Sequence, residues 1–90
     1  MFPFTESLIR KGLILREFKA DVDSEELVWH LDREDRWVRV VESGKWQLQM
    51  DNKLPQPLME GETYFIPAMT YHRVIKGDDD LVVLIKESAK

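Results

Sequence analysis

Gly61-Glu62-Thr63-Tyr64-Phe65-Ile66-Pro67-Ala68-Met69-Thr70-Tyr71-His72-Arg73-Val74 decides how the rest of the chain is read. The glycine at its head suits a turn, because a residue without Cβ takes positive φ at no steric cost. Thr63 to Ile66 are the β-branched and aromatic types that fit a pleated, half-buried surface. Pro67 cannot donate to a strand ladder and ends that run. A second turn then aims His72 back along a new strand, His72 to Ile75.

Working outward, Leu13 to Ala20, Leu27 to Leu31 and Arg36 to Val41 each read as strands. Lys45 to Met50 alternates Trp46, Leu48 and Met50 against Gln47 and Gln49, which predicts three core residues and two solvent-facing ones. The two prolines in Leu54 to Leu58 make that segment an edge or a crossing. Leu81 to Ile85 is the last strand. Between these lie an acidic loop over Asp21 to Glu26, in which Ser24 suits the start of a helical turn, and a charged hairpin tip over Asp32 to Asp35. Lys76 to Asp80 reads as a solvated turn. Met1 to Lys11 reads as an arm and Glu87 to Lys90 as a polar tail. Seven or eight short strands at roughly 8–12-residue spacing, with no amphipathic helix, predict an all-β antiparallel domain. Closing such a sheet into a barrel removes its exposed edges.

Composition narrows the function. Thirteen Lys and Arg against seventeen Asp and Glu give a net charge of -4, which argues against nucleic acid as a partner. No cysteine is present, so disulfides, thiolate ligands and cysteine nucleophiles are excluded. No apolar run reaches the ~20 residues of a membrane span, and Arg10-Lys11 interrupts any secretory leader. A soluble, cytoplasmic domain is expected.

Taken together, the two halves resemble the paired motifs of the cupin superfamily. The second cupin motif is Gly, five residues, Pro, one residue, Gly, two residues, His, three residues, Asn. Gly61, Pro67 and His72 stand at those spacings, with Met69 at the second glycine and Lys76 at the asparagine. The first motif is Gly, five residues, His-X-His, three or four residues, Glu, six residues, Gly. Its positions here are Ser24, His30, Asp32, then Arg36 or Trp37, and Gly44; neither spacing yields a glutamate. The resemblance runs from about Val28 to Ile85 and implies one domain over residues 1–90. In it an arm over 1–11 precedes a jelly-roll barrel, a double-stranded β-helix, over 12–87. It also implies a homodimer.

In cupins the motif side chains converge on a divalent metal, commonly iron, manganese, nickel or zinc. Residues two apart on a strand share a face, so His30 and Asp32 keep the His-X-His geometry, and Asp substitutes as a hard oxygen ligand. His30, Asp32 and His72 are thus candidate metal ligands, and His30, Asp32, Arg36 and His72 candidate ligand-binding residues. Strand parity puts Arg36 with Val38 and Val40 on the inner face, where its permanent charge either repels a metal or pairs with Asp32. Three functions follow. One is a cupin that binds a small polar or anionic molecule, such as a sugar or organic acid, through Arg36. The second is a metal-dependent enzyme of dioxygenase or isomerase type. The third is an interaction module that uses a shared outward face of Trp29 and Trp37.

Overall fold

Eight strands form among residues 2–88, the residues that the computed structural model describes. They are β1 (Thr5–Arg10), β2 (Leu13–Phe18), β3 (Arg36–Glu42), β4 (Gln47–Met50), β5 (Gln56–Pro57), β6 (Thr63–Ile66), β7 (His72–Ile75) and β8 (Leu81–Glu87). A single 3-10 turn, Ser24–Glu26, is capped by the Asp23 carboxylate, which accepts from the Glu25 N–H. One sheet has the order β1-β2-β8-β3-β6 and the other β5-β4-β7. Every pairing is antiparallel.

Two-residue alternation decides what the sheets enclose. Along β8, Leu81, Val83 and Ile85 are buried and Val82 and Leu84 only half so. Val40 faces them from β3, and Leu48 and the fully buried Trp46 close the core from the smaller sheet. Trp46 donates its indole N–H to the Asp79 carbonyl at 2.5 Å, so the large ring enters the core with its polar atom satisfied. The two turns bordering that contact pack backbone against backbone. A methyl group on Gly44 would run into Asp79 and Asp80, and one on Gly77 into Gly44 and Lys45.

Several segments differ from their sequence reading. Thr5–Arg10 is no loose arm: it pairs with β2 as the outer strand of the larger sheet. Leu27–Leu31 is not a strand. It meets β7 through one bridge, His30 to His72, because past that point the Asp32 carbonyl accepts from the Met69 N–H and draws the chain away. The charged tips also have structural work, since Asp35 accepts from the Ala68 N–H at 2.8 Å and Asp80 from the Ala20 N–H at 2.6 Å. Of the predicted polar tail, Glu87 ends β8, while Ala89 and Lys90 lie outside the described residues, as does Met1.

Met69, where the resemblance places a glycine, has φ +62°. A side chain in the left-handed region is held against steric cost, and that of Met69 is mostly exposed and packs little. Met69→Gly is therefore expected to stabilise the fold by about 0.5–1 kcal/mol, read as a higher urea midpoint. A lower midpoint would show that the Met69 side chain contributes packing.

Candidate functional site

His72 is the first residue of β7 and, at 4% exposure, the most deeply buried titratable side chain among the described residues. Its position is set by the turn before it. Pro67 ends β6, and the N–H groups of Ala68 and Met69 are tied to Asp35 and to the Asp32 carbonyl. The bridge then joins the two motifs: His30 N–H to His72 carbonyl at 3.0 Å and His72 N–H to His30 carbonyl at 2.9 Å. The two imidazoles lie 4.3 Å apart between centroids. Asp32, two residues along the chain, brings its carboxylate to the same side. One ligand atom from each of His30, Asp32 and His72 falls within 4.8 Å of the others.

Both rings have one nitrogen committed. Nδ1 of His30 lies 3.0 Å from the Val28 carbonyl, and Nδ1 of His72 lies 2.8 Å from the Thr70 carbonyl. A carbonyl only accepts, so Nδ1 carries the hydrogen and Nε2 keeps its lone pair, the arrangement in which imidazole ligates a metal. Nε2 of His72 sits 3.3 Å from Asp32 Oδ2. That oxygen is buried and has no hydrogen-bond partner among the described residues. Two buried lone pairs thus face each other, unless a cation stands between them. Protonation of His72 is opposed: burial pushes its pKa down, and His30 and Arg36 add to that, against the Thr70 carbonyl and Asp32, which favour the charged form. Burial outweighs the carboxylate, because the ring has lost its water while Asp32 itself is shared with Arg36. A divalent metal fits this donor set of two imidazole nitrogens and one carboxylate oxygen.

Arg36 points inward, as parity predicted, whereas Trp37 lies half-exposed outside against Phe65, with ring centroids 5.1 Å apart. The guanidinium does not hang free over the site. Its Nε and Nη2 donate to Glu87 Oε2 at 3.0 and 2.6 Å, and Nη1 lies 3.3 Å from Asp32 Oδ1. Arg36 therefore holds one carboxylate oxygen of Asp32 and leaves the other turned to the histidines. Glu87 was missed in the sequence, although the parity that placed Arg36 was enough to find it: Leu81, Val83, Ile85 and Glu87 share one face. Arg16, which borders the cavity, donates from Nε to Oε2 of the exposed Glu6 at 2.7 Å. Their signal was masked by the apolar residues on both faces of β2.

The four predicted site residues thus converge on one cavity of about 350 Å³. The proposed aromatic face does not form as a unit. Trp29 stacks under Arg73 of β7, 4.8 Å from ring centre to guanidinium, while Trp37 belongs to the outer face of β3 and β6 in the other sheet.

Two antiparallel sheets wound around a cavity form a cupin-like double-stranded β-helix. Solved structures agree. A cupin domain from Bordetella pertussis is similar over 99% of this chain and 98% of its own, at 21% identity and a TM-score of 0.65. A candidate mannose-6-phosphate isomerase from Ralstonia eutropha JMP134 is 27% identical over 96% of this chain and 83% of its own, with a TM-score of 0.69. The DMSP lyase DddQ from Ruegeria pomeroyi reaches a TM-score of 0.75 at 13% identity, and the chain spans only 48% of its length. In a second DMSP lyase structure the match covers 37% of the longer chain. No protein-family profile and no curated protein matches the sequence. The chain has the double-stranded β-helix fold of small cupins.

The His72 environment sets a pH dependence. The unfolded chain takes a proton on this ring near 6.5, while the folded chain resists it to lower pH. Below that value the unfolded state binds more protons, so stability is full above about pH 7 and falls as pH drops, by at most about 1.4 kcal/mol per pH unit. Urea midpoints of chelator-treated protein should decline from about pH 7.5 to pH 5, and His72→Gln should flatten the decline. An equal decline in the variant would place its origin elsewhere.

Proposed function

We propose that this chain is a metal-dependent, small-molecule cupin. His30 Nε2, Asp32 Oδ2 and His72 Nε2 are the ligands, with Glu87 and Arg36 as the group that orients Asp32. The observation that carries the reading is the buried, unpartnered Asp32 Oδ2, 3.3 Å from the lone pair of His72. A two-imidazole, one-carboxylate set leaves open positions for a ligand oxygen, and a metal bound there supplies Lewis-acid polarisation of that oxygen. Iron, manganese, nickel and zinc all suit these donors. The protein's own share is to hold the imidazole tautomers through Val28 and Thr70 and to fix the carboxylate through Arg36, with His30 at the solvent-exposed side of the site. The lyase and isomerase among the similar structures lend the fold; the reading of a reaction centre comes from the three donors.

Anion capture by Arg36, the other use open to this residue, is disfavoured because two carboxylates already engage its guanidinium. Chelator-treated protein incubated with iron or manganese should take up about one metal per chain, and Asp32→Ala and His72→Ala should each lose at least about tenfold in affinity. Metal below about 0.1 per chain in the parent would overturn the reading.

Self-association belongs to the same proposal, supported by Trp37, Phe65 and Val41, which share the open outer face of β3 and β6. No described helix is long and apolar enough to cross a membrane. Trp37→Ser should convert a dimer to a monomer in sedimentation velocity, and an unchanged size would exclude this face.

A further inference from the structure

Beyond the three donors and the charged side chains of Arg16, Glu26 and Arg36, the cavity wall is hydrocarbon. Val38 from β3, Leu48 from β4, Val74 from β7 and Val83 and Ile85 from β8 line it. Phe2, Pro3 and Phe4 border it at the surface, where Phe4 packs edge-on against Phe18 with centroids 5.3 Å apart and Phe2 is 78% exposed. The space is about 350 Å³, roughly a dozen water volumes of about 30 Å³ each, which is at the small end of ligand sites.

Two arginines line this space, and each is already matched. Arg36 is held by Glu87, and Arg16 by Glu6 through both Nε and Nη2 while lying 3.8 Å over the ring of Phe4. Burial works against the charge of Arg16 and Glu6 supports it; a guanidinium stays charged at neutral pH. With both arginines cancelled by their own glutamates, the charge left at the inner end is that of Asp32 against the two of a divalent metal. One anionic oxygen balances it. A second anionic group would meet no free cation and would face Glu26 in the cavity lining. A polyol would strip its hydroxyls of water against valine and leucine with few polar groups to receive them.

We infer that the ligand is a small, mostly apolar molecule with a single anionic oxygen head, the head at the His30, Asp32 and His72 end and the hydrocarbon body along Val38, Val74 and Val83. This rests on the metal reading above and names the substrate class of that site. It sets aside the sugar that the sequence suggested for Arg36 and narrows the organic acid to one with a single anionic head, placed at the three donors rather than on Arg36.

The test is calorimetric titration of manganese-loaded protein with acetate, butanoate, hexanoate and octanoate, with citrate and glucose 6-phosphate in parallel. Affinity should rise about fourfold per methylene that enters the cavity, then level off when the chain outgrows it. Citrate and glucose 6-phosphate should bind more weakly than hexanoate. A flat series on protein that carries its metal, or tighter binding of either polyanion, overturns the inference and leaves the metal reading intact. Protein that takes up no manganese overturns both, and that is read from metal content rather than from the slope. Val38→Phe, which fills the cavity with another apolar side chain, should move the plateau to a shorter acid with metal content unchanged. A plateau at the parent's chain length in that variant counts against the body lying in this cavity.

Discussion

β3 and β8 run side by side through the larger sheet with Arg36 opposite Glu87, Val38 opposite Ile85 and Val40 opposite Val83. The inside of the barrel depends on that register. Side chains alternate faces every residue, so a slip of one position would carry Trp37 and Lys86 into the cavity and turn Arg36 and Glu87 out to water. The register is held because the inward set is the one that buries well: Val40, Val83 and Ile85 all become inaccessible, while Trp37 and Val41 remain at the surface. Apolar packing along the middle of the two strands thus delivers an ion pair to their end.

That ion pair changes what Arg36 means in this fold. A lone inward guanidinium beside three metal-type donors would oppose a cation. Held by Glu87 through two of its nitrogens, it instead presents its third toward one oxygen of Asp32 and orients the carboxylate. The cupin glutamate is missing from the motif position, yet a glutamate enters the cavity from β8, far along the chain. Its role here is with arginine rather than with the imidazoles. Electrostatic balance is kept pair by pair, Arg16 with Glu6 and Arg36 with Glu87, which leaves Asp32 as the carboxylate whose second oxygen has no partner among the described residues.

The imidazoles show the same economy of means. Each gives its Nδ1 hydrogen to a carbonyl two residues earlier on its own segment, Val28 for His30 and Thr70 for His72. The backbone bridge between the histidines then brings the two remaining lone pairs toward the same space. Local hydrogen bonds choose the tautomer, and one non-local pairing places the rings. Because the surrounding wall is apolar, the donors keep their mutual conflict at full strength, and the same wall limits the shape and polarity of whatever molecule shares the space with them.

Much of this was legible in the residues. Alternation over Lys45 to Met50 located the core positions Trp46 and Leu48, and the spacing from Gly61 through Pro67 to His72 marked a strand, a turn and an inward imidazole. Parity in Arg36-Trp37-Val38 pointed the arginine inward. Those are local properties: a period of two and the special backbones of proline and glycine act within a few residues. What lay beyond them was decided by tertiary contacts. Leu27 to Leu31 has strand-like composition but only a single partner position on β7, and the exposed apolar residues of Thr5 to Arg10 become a strand because β2 offers a free edge. Trp29 and Trp37 look equivalent along the chain and end on different sheets. The Glu87 to Arg36 pair spans 51 positions, and the unpartnered oxygen of Asp32 depends on atoms from distant parts of the chain. Sequence alone therefore determined the barrel and the residue types it encloses. Their charge state and free valences were decided by packing, because these depend on which distant groups exclude water together.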